Sequence, residues 1–225
     1  MKKIFFVAIF LYLGMSVLAQ QPETLFFVML NTNPDREELP KKQVDSLQQG
    51  HLENISRLAE EGYMKAAGPF HGGGGLFIMS AKTKQEVAQL LQSDPAISAN
   101  RFRVDVSPLK LSVGSVCPVG EEYEMAEYLF ISYKPVANAE DLPEGKKLER
   151  LNKRHYSYVY QHIIDRRIIA AGTFLPRRGG LIVMHKANEE ELEKFLKYDP
   201  WIKNGLYTWE SRILWIARGS FCEKQ

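Results

Sequence analysis

The chain has 225 residues, of which 45% are hydrophobic, 11% aromatic and 25% charged. This is an ordinary globular composition, and it excludes a disordered, collagen-like or multi-span membrane protein. Lysine and arginine number 29 against 27 acidic residues, so the chain lacks the excess positive charge that nucleic-acid binding requires. We therefore expect no nucleic-acid partner.

The first segment along the chain has the pattern of a secretory signal. Lys2 and Lys3 precede an apolar run that is too short to span a bilayer, and small residues lead to a cleavage point after Ala19. We expect residues 1–19 to be removed, leaving a periplasmic or secreted protein with no membrane contact. Loss of the two lysines reduces the 29 basic residues to 27, which equals the number of acidic residues.

The rest of the chain is predicted to contain two copies of one domain, at 20–117 and 126–222, joined by a short acidic linker at 118–125. At an offset of 104, Leu25-Phe26-Phe27 aligns with Leu129-Phe130-Ile131, and His51 aligns with His155. After one extra residue in a loop of the second copy, Asp94-Pro95 aligns with Asp199-Pro200 at an offset of 105. One insertion in a surface loop is what a tandem duplication tolerates.

Each copy shows the same order of predicted elements. In the first copy these are a buried strand at 25–30, an amphipathic helix, two strands at 63–69 and 76–80, a second helix after a Thr83–Glu86 capping box, and a last strand at about 102–113. The order β-α-β-β-α-β is the ferredoxin-like arrangement. Its sheet keeps one apolar face uncovered, so we expect an α+β fold in which the two domains pack sheet to sheet as an intramolecular dimeric α/β barrel.

Two histidines are the first candidates for chemistry. His51 and His155 each interrupt the apolar face of the first helix of their copy, so each ring should point at the sheet and need a hydrogen-bond partner. Asp94 and Asp199, each followed by proline, should end the second helix, where the negative helix dipole makes a nearby imidazole favourable. Such a pair fixes the imidazole tautomer and leaves one nitrogen free to move a proton. The alternatives are a core histidine and a turn-forming aspartate.

These residues resemble a known family. The Gly68-Pro69-Phe70 segment, the Gly74-Gly75 turn, the Asp94-Pro95 ending and the helix histidine are similar to the YCII-related domain, at about 23–117 and again at 127–222. The second copy departs from the pattern at Thr173 and His162. The resemblance implies a dimeric α/β-barrel fold and a His–Asp active-site pair. Some relatives are lyases that remove halide from ring-derived substrates, which suits a proton-transferring histidine.

Further site residues are expected around these pairs. We expect five residues of the two hairpins to line the substrate pockets: Gly68, Pro69, Phe70, Gly172 and Phe174. No sequence motif for a metal, a phosphate or a dinucleotide is present, so we expect neither a metal nor a cofactor. Cys117 and Cys222 occupy equivalent places and form a disulfide if the pseudo-twofold axis passes between them.

The leading hypothesis is an exported protein with an acid/base pocket in each half, formed by His51 and Asp94 and by His155 and Asp199. The reaction would be a lyase or isomerase step on a small organic acid or ring compound. The alternatives are a non-catalytic module that binds a small ligand, and a structural or interaction protein in which the pairs are buried clamps. If one half has lost its function, the Thr173 and His162 departures indicate the second. The sequence does not identify the substrate or any oligomer beyond the internal pseudo-dimer.

Overall fold

A computed structural model of the protein describes residues 24–120, 122–136, 143–176 and 179–222. The predicted signal at 1–19 lies outside these residues. The first half contains, in chain order, β1 (Thr24–Thr32), α1 (Lys41–Glu60), β2 (Met64–Pro69), β3 (Gly75–Ala81), α2 (Lys84–Leu91), α3 (Pro95–Ser98), β4 (Phe102–Val113) and β5 (Ser115–Val116).

The second half repeats this order. Its elements are β6 (Met125–Pro135), α4 (Gly145–Ile164), β7 (Ile168–Phe174), β8 (Gly180–His185), α5 (Glu189–Tyr198), α6 (Pro200–Lys203), β9 (Tyr207–Ala217) and β10 (Phe221–Cys222). The segment predicted as a linker, 118–125, lies between β5 and β6, and its last residue opens β6.

Side-chain caps explain where the second helix of each half begins. Thr83 accepts a hydrogen bond from the backbone N–H of Glu86 at the start of α2. In the second half Asn188 and Glu191 form a complete capping box at the start of α5. In the first half the Glu86 carboxylate instead accepts from the backbone N–H of Lys82. These caps satisfy donors that the first helical turn leaves without partners.

Eight of the strands form one antiparallel sheet in the order β2-β3-β1-β4-β7-β8-β6-β9, and β5 and β10 form a separate two-stranded sheet. Each half supplies the four-stranded order of the ferredoxin-like fold, and β4 pairs with β7 to join the halves. The outer strands β2 and β9 meet through a bridge between Phe70 and Leu214 and a hydrogen bond from the His71 N–H to the Ile213 carbonyl. The sheet is thus closed, and the predicted intramolecular dimeric α/β barrel is confirmed.

The buried apolar residues form three clusters separated by the barrel wall. The central cluster draws on both halves and fills the barrel, whereas one cluster in each half lies between the wall and the helices outside it. Both histidine–aspartate pairs belong to the outer layers, because they lie on or beside α1 and α4. No helix in the described residues is long and apolar enough to cross a membrane.

The strand pairing corrects the sequence alignment of the two halves. Leu30 pairs with Gly75, and Tyr133 pairs with the equivalent Gly180, so Leu30 and Tyr133 are equivalent and the offset in this strand is 103. The predicted offset of 104 was wrong by one residue, because the loop between β6 and α4 is one residue longer than the loop between β1 and α1. A slip of one residue exchanges the two faces of a strand, so the correction decides which side chains face each histidine.

Candidate active site

The first pair forms beneath helix α1. His51 lies on the buried face of α1, and its Nδ1 is 2.7 Å from Oδ2 of Asp94. Asp94 is fully buried, and its Oδ1 accepts hydrogen bonds from the backbone N–H groups of Ala96 at 2.9 Å and Ile97 at 3.1 Å. The carboxylate is therefore fixed from one side by the backbone and presents its other oxygen to the imidazole.

The position of the aspartates differs from the prediction. We expected Asp94 and Asp199 to lie only at a helix C-terminus, where the dipole disfavours a carboxylate. Each is instead also the N-cap of a four-residue helix, α3 or α6, with a proline in the first position of that helix. The free N–H groups of that short helix stabilise the carboxylate, so the imidazole is not needed for that purpose.

A polar network extends the first pair toward the surface. Asn54, one turn along α1 from His51, donates a long hydrogen bond of 3.5 Å to Asp94 Oδ2. The Asn54 side-chain oxygen accepts from Arg57 Nη2 and from Ser93 Oγ, each at 2.8 Å. These two donors orient the amide so that its N–H faces Asp94. Asn54 was not among the predicted site residues, although its spacing from His51 places both residues on one helical face.

The second pair contains the same hydrogen bond between a histidine Nδ1 and an aspartate carboxylate. His155 Nδ1 is 2.8 Å from Oδ1 of Asp199, and the same oxygen accepts from the Trp201 backbone N–H at 2.8 Å. Here the other oxygen, Oδ2, accepts from the hydroxyl of Tyr133 at 2.8 Å. Burial of Tyr133 and the adjacent carboxylate raise the pKa of this phenol well above its ordinary value, so it stays protonated and donates to the aspartate.

Aromatic side chains pack more closely on the second pair than on the first. The indole of Trp201 lies parallel to the His155 ring, with centroids 3.5 Å apart and planes 4° apart, and its Nε1 donates to Asn152 Oδ1 at 3.0 Å. The equivalents of Tyr133 and Trp201 in the first half are Leu30 and Ala96. The rings of Phe77 and Phe102 lie near His51 at centroid distances of 5.8 and 5.7 Å, too far apart for close stacking.

The imidazole nitrogen that does not contact the aspartate, Nε2, determines whether each pair is able to transfer a proton. Because a carboxylate only accepts hydrogen bonds, Nδ1 of each histidine donates and Nε2 of the neutral ring keeps its lone pair. Within the described residues, Nε2 of His51 and of His155 has no hydrogen-bond partner, and no side-chain nitrogen or oxygen there is both buried and unpartnered. Each Nε2 of a neutral ring therefore keeps a lone pair that is able to accept a proton.

The space next to His155 is small. It has a volume of about 10 Å³ and lies between α4, α6 and the sheet, with Tyr133, Trp201 and Gly172 in its wall. That volume is about one water molecule. An organic substrate does not fit there unless Trp201 moves.

The two predicted glycines have a structural function in the barrel wall. A Cβ atom on Gly68 would lie 2.6 Å from the Trp215 carbonyl oxygen, and one on Gly172 would lie 2.8 Å from the Lys110 carbonyl oxygen. Both glycines thus permit the close approach of strands from the two halves, β2 to β9 and β7 to β4. Gly172 also lines the small space beside His155, and the pocket role of Gly68 stays a prediction.

The two predicted phenylalanines face the interior of the barrel. Phe70 and Phe174 lie inside the barrel, where Phe70 is 5.1 Å from Phe130 and Phe174 is 4.9 Å from Phe27 between ring centroids. Pro69, which lies between Gly68 and Phe70, is exposed. Side chains alternate across a strand, and this alternation directs the phenylalanines away from the helix layer that contains the histidines.

Cys117 and Cys222 form a disulfide, with Cα atoms 6.0 Å apart. Cys222 ends β10 and Cys117 directly follows β5, the two strands that pair in the small two-stranded sheet. The bond joins the ends of the two halves at equivalent positions. In the described residues, no group of three or more histidine, cysteine, aspartate or glutamate side chains is arranged to hold a metal ion.

Comparisons with known proteins find solved structures of low sequence identity. Among solved structures, an anthrone oxidase-like protein has 8% sequence identity and a TM-score of 0.50, with 89% of this chain and 94% of that chain covered. A candidate monooxygenase from Lactobacillus acidophilus NCFM has 12% identity and a TM-score of 0.47, with 90% and 99% covered. At these identities the first likeness shows a shared fold alone. Comparison with curated proteins gives no match.

The family comparison covers the first half and its histidine–aspartate pair. A sequence model of the YCII-related domain matches residues 24–110, which include β1 to most of β4 and both His51 and Asp94. The resemblance seen in the sequence is thereby confirmed for this half. Residues 24–110 of the chain are a YCII-related domain.

Proposed function

We propose that the first half of this protein is an acid/base site for a small organic substrate, in which His51 moves a proton and Asp94 orients it. The observation that carries the proposal is the difference in cover between the two imidazoles: within the described residues the nearest aromatic ring centroid is 5.7 Å from His51 but 3.5 Å from His155. Nδ1 of His51 is held 2.7 Å from a fully buried carboxylate, and Nε2 has no hydrogen-bond partner among the described residues. The YCII-related domain that contains the pair supports a role in small-molecule binding or catalysis.

The chemistry follows from the tautomer. Nε2 of neutral His51 takes a proton from an acidic C–H or O–H group of the substrate, and Asp94 stabilises the imidazolium that forms. In an isomerase the same proton returns to a different atom of the substrate. In a lyase the electron pair of the broken C–H bond forms a double bond while a leaving group departs. Both reactions conserve atoms and charge without a redox partner, and both fit a small organic acid or ring compound.

For the second half we propose a structural role. His155 is covered by Trp201 at 3.5 Å, Asp199 is saturated by Tyr133 and the Trp201 backbone, and the adjacent space holds about 10 Å³. A histidine so enclosed resembles a buried clamp more than a site open to substrate. One functional and one structural copy is a common outcome when a duplicated domain diverges.

We further propose that the chain is an exported tandem of two YCII-related domains that functions in the periplasm or after secretion. The sequence signal at 1–19 and the alignment of the two halves support this proposal, as does the repeated order of elements. The Cys117–Cys222 disulfide is of a kind that persists outside the cytosol.

Proton transfer is measurable before the substrate is known. The protein is incubated in D₂O with a panel of enolisable carboxylic acids and unsaturated lactones, and loss of C–H signals is followed by proton NMR. A general base that reversibly removes a carbon-bound proton replaces it with deuterium. We expect exchange with at least one compound class in the wild type, loss of exchange in His51→Gln, and its retention in the matched variant His155→Gln.

Two results would contradict this proposal. Equal exchange in His51→Gln and wild type would show that His51 is not the base. Ligand-induced stabilisation by a panel compound without any exchange would favour the binding-module alternative. Circular dichroism and thermal unfolding of both variants establish that each is folded.

A further inference from the structure

A cavity in the first half lies away from both histidine–aspartate pairs. It has a volume of about 450 Å³ and lies between the loop that joins β1 to α1 and Arg101, the residue before β4. Neither His51 nor Asp94 contributes to its wall. A volume of this size is typical of sites that bind small molecules, and the acid/base chemistry proposed above makes no use of it.

Asn33 fixes the shape of the loop that forms most of this wall. Its side chain is buried, and Nδ2 donates to the Asn100 carbonyl oxygen at 3.0 Å. Its Oδ1 accepts from the Asp35 backbone N–H and from Arg103 Nε, each at 3.1 Å. The Asn33 backbone N–H donates to the Arg101 carbonyl oxygen at 3.0 Å. The wall is therefore preorganised, which reduces the entropy that a ligand loses on binding.

Charged groups of both signs line the cavity without pairing with one another. Arg36 and Arg101 carry guanidinium groups, and Glu37 and Glu38 carry carboxylates. Arg101 donates through Nη1 to the backbone carbonyl oxygen of Glu37, which holds the guanidinium at the cavity and leaves its Nε and Nη2 for other partners. Among the described residues, none of these four side chains forms an ion pair. They are therefore available to a ligand that carries both a negative and a positive group.

The second half shows that the fold does not require polar residues at this place. There the Val136 backbone N–H donates to the Leu206 carbonyl oxygen at 3.1 Å, which is the contact that Asn33 and Arg101 make in the first half. An apolar pair of residues thus forms the same backbone hydrogen bond. The polar side chains of Asn33 and Arg101 are not needed for strand pairing, which favours a role for them in binding.

We propose that this cavity binds a small zwitterion with the chemistry of a free amino acid. The ligand carboxylate accepts hydrogen bonds from the guanidinium of Arg101, because the planar fork of N–H donors matches a carboxylate. The ligand ammonium group lies against the carboxylates of Glu37 and Glu38. Pro34 and Leu39 supply apolar surface for a short side chain. The site is separate from the histidine–aspartate pair, so it does not depend on the proposed acid/base reaction.

Leucine is the probe that tests this proposal, because it carries both charges and a short apolar side chain. Binding is followed by the backbone amide resonances of Glu37 and Arg101 in proton–nitrogen NMR titrations. In the wild type we expect leucine to shift both amides with a dissociation constant below about 10 mM. Isocaproate lacks the ammonium group and isoamylamine lacks the carboxylate, and we expect each to bind at least about tenfold more weakly than leucine.

Two variants locate the ligand in the cavity. Arg101→Leu installs the residue that the second half has at the equivalent position, and we expect it to weaken leucine binding, followed at the Glu37 amide, at least about tenfold. Arg154→Leu, on the exposed face of α4, is the matched control and should bind leucine as the wild type does. Thermal unfolding establishes that both variants are folded. If Arg101→Leu does not fold, Glu37→Gln replaces it and should weaken the binding of leucine but not of isocaproate.

Three results would overturn the proposal. The first is no shift of either amide at about 10 mM leucine, which would leave the charged groups as a solvated loop only. The second is equal binding of leucine and isocaproate, which would show that the carboxylates do not recognise an ammonium group. The third is unchanged leucine binding in folded Arg101→Leu, which would place the ligand elsewhere on the protein.

Discussion

Replacing Tyr133 with phenylalanine tests the assigned hydrogen-bond network with the smallest change of shape. Tyr133 is almost fully buried, and its hydroxyl donates to Asp199 Oδ2 at 2.8 Å. Phenylalanine retains the ring, which packs against His155 and Trp201. In the described residues, Asp199 Oδ2 then has no hydrogen-bond donor, while Oδ1 keeps His155 and the Trp201 backbone.

The expected loss of stability follows from the Asp199 carboxylate oxygen that is left without a hydrogen-bond donor. A buried carboxylate oxygen that loses a donor costs about 2 kcal/mol of folding free energy. For a chain of this size that loss lowers the midpoint of thermal unfolding by about 4–8 °C. Tyr160→Phe is the matched control, because Tyr160 lies on the exposed face of α4 and its hydroxyl has no partner among the described residues. We expect a change within about 0.5 kcal/mol for the control.

Tyr133 also predicts the behaviour of the protein in alkali. Its folded-state pKa is raised by burial and by Asp199, so the folded protein holds this proton more tightly than the unfolded chain does. The contribution to stability is complete below the ordinary pKa of about 10 and is lost as the pH rises through the folded-state value. Tyr133→Phe should therefore lose less stability than wild type above pH 10. Burial also raises the pKa of Tyr158, to about 12, so Tyr133→Phe still loses some folding stability at alkaline pH.

Urea unfolding at pH 7 and at several pH values between 9 and 11 measures both effects. An unchanged dependence on urea concentration would indicate that the variant alters stability rather than the denatured state. If Tyr133→Phe were as stable as the Tyr160→Phe control at pH 7, the hydrogen bond to Asp199 would contribute nothing, and the view of the second pair as a structural clamp would lose its main support.

The barrel and its disulfide give two further predictions. Gly68→Ala and Gly172→Ala should each destabilise the protein by more than about 2 kcal/mol, because the new Cβ meets the backbone of the neighbouring strand. The control Gly120→Ala, where the new Cβ meets nothing closer than 3.9 Å, should be neutral in the same urea unfolding assay. Equal effects of the three substitutions would show that the close strand approach at Gly68 and Gly172 does not require glycine. Cys117→Ser or Cys222→Ser should lower stability by up to about 4.7 kcal/mol in the chain-entropy account of a loop of about 100 residues. If the free energy of unfolding measured with urea under oxidising conditions were the same for these variants and the wild type, the disulfide would not constrain the unfolded chain.

Much of the fold could be predicted from the sequence because the periodic signals were strong. The last strand of the first half has the predicted bounds, and the predicted sheet-to-sheet barrel follows from two ferredoxin-like sheets with one uncovered face. The contact between His51 and Asp94 was also anticipated, since a buried imidazole needs a partner. Composition and hydrophobic period determine these features locally.

The remaining features depend on register and on tertiary contacts. The apolar run of β1 has no alternation that would show which side chains face the helices, so the equivalence of Leu30 with Tyr133 required the strand pairing. The Asp-Pro sequence indicated the end of one helix but not that the same aspartate caps the next. Phe70 was assigned to a pocket because its segment matches a family motif, whereas closure of the barrel places it inside.

The central claim is that the same histidine–aspartate pair is functional in the first half and structural in the second. The most direct measurement is the free energy of unfolding of His51→Ala and His155→Ala beside wild type. Loss of His155 removes both the Asp199 hydrogen bond and the face on which Trp201 stacks, so we expect a cost of about 3–5 kcal/mol. Asp94 keeps two backbone donors and Asn54 without His51, so we expect His51→Ala to cost less by about 2 kcal/mol. Equal costs, or a larger cost for His51→Ala, would contradict the claim.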